Sequence, residues 1–399
     1  MSTHVDGNHG DEERPGSQSS LRSANEARVL DALRLGGQLT QAELARRTAL
    51  APSTVSNIVR DLAEAGTLEV DEEHGGRRGR MVRLAADGRL LMAVDFGHGH
   101  VSVALATMSH EIVGETHSSL PLGHDHQAGL AKAVSLRDFL LQRAGLDGAA
   151  VVAAGVSLPA PIDNGGRIIG SRLVLPGWAD MDLAAIAQER LGVPVHVDND
   201  ANAGAVAEHH WGAGRGTDDF VYLKLAHGIG AGLILGGKPF RGATGVSGEI
   251  GHTTIDERGV FCRCGNRGCL ETVAATPRLL ALLASTHPRL RTIDDIVRAA
   301  RAGDPACLRV LGDAGRAVGV AAANMVNVLN PAKVLIGGEL AGAGELLLDP
   351  LREIVRRYGV PSAVTGLEIQ AAELGARASL LGDVALASDL AEPLGAVRA

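Results

Sequence analysis

Gly245-Val-Ser-Gly-Glu-Ile-Gly-His252 is followed, after a polar turn, by Cys262-Arg-Cys264-Gly-Asn-Arg-Gly-Cys269-Leu-Glu271. Three of the four cysteines of the chain fall within eight residues here, and a histidine stands ten positions before the first of them. Three thiols and an imidazole form the donor set that a zinc ion takes in a closed tetrahedral site. Glycines at 265 and 268 let the backbone fold back tightly enough for the thiolates to converge. The competing reading is a few buried or redox-active cysteines, because free cysteine is a common core residue. Cys-x-Cys-x4-Cys is not a zinc-finger spacing, but clustering in one glycine-rich loop downstream of a histidine favours the metal.

Gly248-Glu249-Ile250-Gly251-His252 and the cysteine run together resemble the signature of the ROK family, named for its repressors, open reading frames and sugar kinases. The resemblance extends over about Ala24 to Leu390. It implies a two-lobed actin-like α/β domain in which His252, Cys262, Cys264 and Cys269 hold a structural zinc beside a sugar pocket.

With 399 residues, of which 45% are hydrophobic, the chain has room for two or three domains with real cores. Aromatics are only 2%, so those cores must be built from Ala, Val, Leu and Ile. No stretch approaches eighteen uninterrupted apolar residues and the N-terminus is polar, so a cytoplasmic protein without a membrane span is expected. Cysteines gathered at a metal site suit a reducing compartment. A net charge of −8 argues against a surface that coats nucleic acid throughout, so any DNA contact must be a local patch.

Residues 1–20 are almost devoid of apolar side chains and read as a disordered tail. From 21 to 88 the pattern is a winged helix-turn-helix. A first helix over Leu21 to Leu35 ends at Gly36-Gly37; Thr40-x-x-Glu43 is a capping box opening a second; Pro52 opens a third that Gly66 stops. Strand-like 67–70 and 81–84 flank a basic, glycine-rich hairpin. The third helix offers Ser53, Thr54, Ser56 and Asn57 to base edges in a major groove, while Arg60, Arg77, Arg78 and Arg80 supply phosphate contacts. A small protein-binding domain with a solvated basic face is the alternative.

Residues 89–399 alternate strands with helices in two sets, the α/β pattern of two lobes. Asp198-Asn199-Asp200-Ala-Asn202 follows a strand and opens a helix, where one aspartate taken alone reads as a helix cap. By its resemblance to the family's sugar motif, Asp200 stands at the position of the kinase base, with Asn199, Glu249, His252 and Glu271 completing a ring for a polyol. The phosphate loops depart from the kinase pattern. The first reads Asp95-Phe-Gly-His98-Gly-His100 where the kinases have Asp-x-Gly-Gly-Thr, and the second Ala226-His227-Gly228 where they have Gly-Thr-Gly. Each lacks a hydroxyl donor that phosphoryl transfer needs. Gly337-Gly338-Glu339 reads as scaffold, and Gly228-x-Gly230-x-Gly232 is no dinucleotide fingerprint, because a β-hairpin and not a helix follows it.

The expectation is a sugar-responsive transcriptional regulator, a repressor with no catalytic residue. It would bind operator DNA, a sugar or sugar-phosphate effector and zinc, as a homodimer or homotetramer. The alternatives are a sugar kinase with a DNA-binding head and a sugar-sensing protein whose winged helix contacts protein.

Overall fold

A computed structural model describes residues 18–71, 80–85, 88–170 and 175–395. Most of the expected tail, Asp87 of the expected turn and the hairpin arginines Arg77 and Arg78 lie outside the described residues. The chain divides into two compact units, one ending at Gly88 and the other beginning at Arg89.

The first unit comprises α1 (Gln18–Gly36), β1 (Leu39–Thr40), α2 (Gln41–Thr48), α3 (Pro52–Glu64), β2 (Leu68–Asp71) and β3 (Met81–Leu84). Helix α1 begins three residues inside the expected tail, and Arg22 in its first turns bridges to Glu26 and to Asp61 of α3. The Thr40–Glu43 capping box forms in both directions, and Pro52 occupies the first turn of α3. Strand β1, which has only two residues, carries too little pattern to be read from sequence. It pairs with β3, Leu39 opposite Val82, and β3 pairs antiparallel with β2. Val29, Leu33, Leu44, Val55, Ile58, Val59, Leu68 and Val82 close the core.

The second unit holds two five-stranded sheets. The first is built from β4 (Leu90–Phe96), β5 (His100–Thr107), β6 (Ile112–Ser119), α4 (His126–Ala144), β7 (Val151–Leu158), α5 (Leu183–Leu191) and β8 (Val195–Asn199). Helix α6 (Asp200–Trp211) leads to the second: β9 (Phe220–Leu225), β10 (Ile229–Leu235), β11 (Lys238–Pro239) and, after α7 (Glu271–Ala274), α8 (Thr276–Leu283), α9 (Ile293–Arg301) and α10 (Pro305–Leu329), β12 (Lys333–Gly337). Helices α11 (Glu345–Tyr358) and α12 (Pro361–Val364), strand β13 (Glu368–Ala371) and helix α13 (Ala378–Gly395) complete the chain.

The strand orders are β6-β5-β4-β7-β8 and β11-β10-β9-β12-β13. In each sheet the first three strands form an antiparallel meander and the last two add in parallel. The two lobes therefore share one topology without a visible sequence repeat. Strand β10 pairs with β9 across a tight turn, Ile229 opposite Leu225.

Helix α13 ties the lobes together. Leu380, Val384, Ala387 and Ala391 pack on Leu91, Ala93 and Ala153 of β4 and β7, while Ala385 and Leu386 pack on Ala203 and Val206 of α6. The approach is backbone to backbone. A Cβ at Gly382 would stand 1.9 Å from the carbonyl oxygen of Ala203, and one at Gly155 would stand 2.0 Å from that of Asp383. Gly382→Ala should therefore force α13 off α6, and because overpacking a well-filled core costs about 1–3 kcal/mol, a lowered urea midpoint is expected. A wild-type midpoint would show that the contact yields without strain.

Candidate functional site

The four metal-ligand candidates come together. One donor atom from each of His252, Cys262, Cys264 and Cys269 lies within 4.8 Å of all the others. Cys262 Sγ is 3.5 Å from His252 Nδ1, and Cys264 Sγ is 3.6 Å from Cys269 Sγ. Zinc–sulfur bonds of about 2.3 Å in a tetrahedron put donors roughly 3.7 Å apart, so the spacing fits one ion and is far from a disulfide. Burial and the neighbouring sulfurs push the Cys269 thiol up to about 12, so converging thiolates need a cation among them. Gly268 has φ +65°, and a Cβ there would meet the carbonyl oxygen of Asp256 at 1.6 Å. The glycines of the motif are required by the knuckle itself.

His252 turns Nδ1 toward the thiols and Nε2 toward Glu249 Oε2, 3.9 Å away. At that separation the carboxyl faces the ring without hydrogen-bonding to it. The loop thereby connects the cluster to the candidate effector residues, and Glu271 follows two positions after Cys269.

Asn199 and Asp200 sit at the junction of β8 and α6. Asn199 is the helix cap: its Oδ1 accepts from Ala201 N at 2.8 Å and its Nδ2 donates to Ala160 O at 3.1 Å. One N–H and one lone pair are left over. Asp200 is the first helical residue, and its Oδ2 accepts from Lys224 Nζ at 2.8 Å. Glu271 pairs with Arg263 at 2.7 Å and accepts from Ile229 N at 3.3 Å. Burial, together with the carboxylates of Glu271 and Asp200, raises the Glu249 carboxyl to about 7. The candidate acids are thus close enough to feel one another.

Sequence reasoning missed the cations. Lys224 is an isolated lysine in the apolar strand Phe220–Leu225, which was the available signal. It holds Asp200 and also donates to Ser379 Oγ of α13 at 2.8 Å. Arg263 lies between two metal-ligand candidates, and Arg241 reaches the buried Asp198 at 2.6 Å. Nearby, Ser157 Oγ is 2.7 Å from Asp383 Oδ2 and 3.4 Å from Asp95 Oδ1. A hydroxyl has one proton to offer these two carboxyls. Burial raises the pKa values of both Asp95 and Asp383.

The loops that depart from the kinase pattern face each other. The imidazoles of His98 and His227 stack with centroids 4.0 Å apart and an interplanar angle of 32°. Burial, then His227 and Arg263, hold His98 down to about 3; burial and Arg263 also lower His227. The His98 ring is therefore neutral at pH 7. His100 folds over the same turn, where a Cβ on Gly97 would meet its ring at 2.1 Å. At Gly337-Gly338, side-chain-sized space is filled by Tyr222 Oη and Leu225 O, 2.2 and 2.4 Å from the built Cβ positions. Both glycines are needed for packing. An apolar hollow of about 250 Å³ beside Ile250, Thr253, Met325 and Val328 lacks the polar lining a polyol needs, and none of the five candidate effector residues borders it.

In the first unit, α3 buries Val55, Ile58 and Val59 and exposes Ser53, Ser56, Asn57 and Arg60, with Thr54 half-buried. Arg60 is not an open cation: its guanidinium contacts Asp61 at 3.1 Å and Glu64 at 4.0 Å. Arg80 is exposed, as are Arg46 and Arg47 on α2, which sequence reasoning passed over.

A model of the ROK family matches residues 91–390. The chain belongs to the ROK family. A MarR family model matches residues 22–78, ahead of the ROK segment. The xylose repressor of Caldicellulosiruptor bescii is 28% identical over 389 residues, 93% of this chain and 97% of the relative. The crystal structure of a ROK family transcriptional regulator described as a homologue of the Escherichia coli Mlc protein superposes with a TM-score of 0.77. It shares 27% identity over 92% of this chain and 96% of its own. A ROK family glucokinase from Streptomyces griseus, solved with glucose and AMPPNP, has a TM-score of 0.66 and 28% identity. It covers 75% of this chain and 99% of its own, so the ROK unit of this chain accounts for nearly all of that kinase.

Because the Lys224 and Asp200 side chains are 19% and 13% exposed, removing one partner strands a largely desolvated charge. Breaking such a pair costs about 3 kcal/mol or more. Lys224→Met should lower stability by roughly that amount in guanidinium unfolding, and Lys224→Met with Asp200→Asn should recover a large part of it. Additive losses would mean that the two side chains act independently.

Proposed function

We propose that this chain is a DNA-binding transcriptional regulator, a repressor of genes for sugar metabolism or transport, controlled by a sugar held in the ROK unit. The observation that carries this is the joining, in one chain, of a MarR-like winged helix to a ROK unit, an arrangement shared along most of its length with a protein named xylose repressor. Ser53, Thr54, Ser56 and Asn57 would read bases, with Arg60, Arg77, Arg78 and Arg80 on phosphates. Asn199, Asp200, Glu249, His252 and Glu271 would hold the effector. His252, Cys262, Cys264 and Cys269 would hold a structural zinc, since all four positions of a tetrahedron are filled by protein.

The chain acts in the cytoplasm as a homodimer or homotetramer, so that two reading heads meet a palindromic operator. The sugar binds the DNA-free arrangement better and releases the repressor, because a ligand shifts an equilibrium only by its differential affinity. The chain is not an enzyme. Stacked histidines fill the loops that would cradle phosphate, and the carboxylate at the kinase-base position is occupied by Lys224. The similarity to a glucokinase keeps a sugar kinase with a DNA-binding head as the second reading.

Selection of duplexes from a random pool at fixed salt, repeated with a panel of sugars, should enrich one palindrome and lose it with one sugar. No enrichment in any condition, with ATP turnover on a sugar, would replace this function by the kinase. Replacing Arg77 and Arg78 by alanine should weaken duplex binding and flatten its salt slope by about one unit per lost phosphate contact. Elemental analysis should find one zinc per chain, lost on Cys262→Ser with Cys269→Ser along with a fall in the thermal midpoint. A metal-free protein of unchanged stability would remove zinc from the account.

A further inference from the structure

Away from the residues described above, three side chains with different metal-donor atoms meet where the loop after α8 touches the start of α10. One ligand atom from each of His287, Asp304 and Cys307 lies within 4.8 Å of the other two. His287 Nε2 is 3.0 Å from Asp304 Oδ2, across 17 positions of sequence that include α9. Cys307 is the one cysteine of the chain outside the Cys262–Cys269 knuckle.

Two observations go beyond helix capping. Asp304 caps α10 through Oδ1, which accepts from Ala306 N at 3.0 Å and from Cys307 N at 2.9 Å. Its Oδ2 is turned to the imidazole instead, and a cap calls for neither an imidazole nor a thiol. The ring is also set from behind, because His287 Nδ1 is 2.8 Å from the Thr286 hydroxyl. A hydroxyl donates or accepts, so the ring proton can move from Nε2 to Nδ1 without the loss of that hydrogen bond. An orienting partner on the far nitrogen is the usual companion of a ligating histidine. The competing use of a cysteine beside a histidine and an aspartate is a nucleophile. Cys307 is fully buried, and burial together with Asp304 pushes its thiol up to about 11, the reverse of what a reactive thiolate needs.

We propose that His287, Asp304 and Cys307 form a second metal site, which takes a divalent ion of the zinc type with a water in the remaining position. Nitrogen, sulfur and oxygen donors together select such an ion over calcium or magnesium, which take oxygen. One carboxylate and one thiolate balance its two charges, the thiol releasing its proton to solvent as the sulfur–metal bond forms. Zinc–nitrogen and zinc–oxygen bonds of about 2.0–2.1 Å in a tetrahedron put those donors roughly 3.3 Å apart, a small opening of the His287–Asp304 contact. The His287 and Asp304 side chains are 26% and 28% exposed, so the ion enters from the solvent side and the water sits there. With three protein donors the site is open, and its ion exchanges more readily than one enclosed by the four donors of the knuckle. Binding ties the loop between α8 and α9 to the first turn of α10.

Titration of the purified full chain with cobalt(II), whose bond to a thiolate absorbs in the near ultraviolet, tests this. One ion per chain should enter with that absorption, beyond the metal the chain already holds. Added zinc should displace the cobalt and raise the thermal midpoint, since an ion that binds the folded chain stabilises it. His287→Ala and Cys307→Ser should each weaken uptake by at least about tenfold and remove the rise in midpoint. If the buried Cys307→Ser does not fold, His287→Ala decides alone, because that ring is partly exposed. Uptake that persists in His287→Ala, or no uptake by the unaltered chain, overturns the site and leaves Asp304 as a helix cap.

Discussion

The close approach of backbones around α13 is the constraint on which the ROK unit depends. Helix α13 meets both β7 and α6 at distances that leave no room for a Cβ on Gly155 or Gly382. The other side chains at the contact are mostly alanine, valine and leucine. Packing of this kind suits a chain with only 2% aromatic residues. Small residues let elements pack at short range, where many weak dispersion contacts add up. The few large side chains serve both sheets: Trp178 packs against Phe96 at 4.8 Å beside the first, and Phe220 and Tyr222 are buried at the second.

That tight frame brings charged groups from distant parts of the chain into one place. Lys224 from β9, Asp200 from α6 and Ser379 from α13 form one hydrogen-bonded set. Ser157 from β7 links Asp95 of β4 to Asp383 of α13. Buried polar groups of this kind carry a high penalty if separated, so they hold the two sheets in a defined relation at the candidate site. Asp200 thus belongs to the set that ties α6 and β9 to α13.

Much of this was legible in the chain. The capping box at Thr40, the Pro52 start, the Gly66 stop and the strand-helix alternation appear as read, because each is a local backbone requirement written in a few adjacent residues. The Gly-x-x-Gly-Cys knuckle was legible for the same reason. Less legible were β1 and β13, short strands that exist only because β3 and β12 offer them an edge. The start of α1 also moved, since contacts of Arg22 with Glu26 and Asp61 carry the helix into polar sequence.

The sequence by itself determined the order of elements, the two-part organisation and the convergence of His252 with Cys262, Cys264 and Cys269, all through short-range spacing and backbone chemistry. Only the tertiary structure decided which charges neutralise one another. Asp200 and Lys224 are 24 positions apart and Lys224 and Ser379 are 155 apart, and no periodicity connects them. Their pairing follows from strand order and from helix α13 closing over the end of the sheets. Ion pairing depends on separation in space and on desolvation, and both are set by packing.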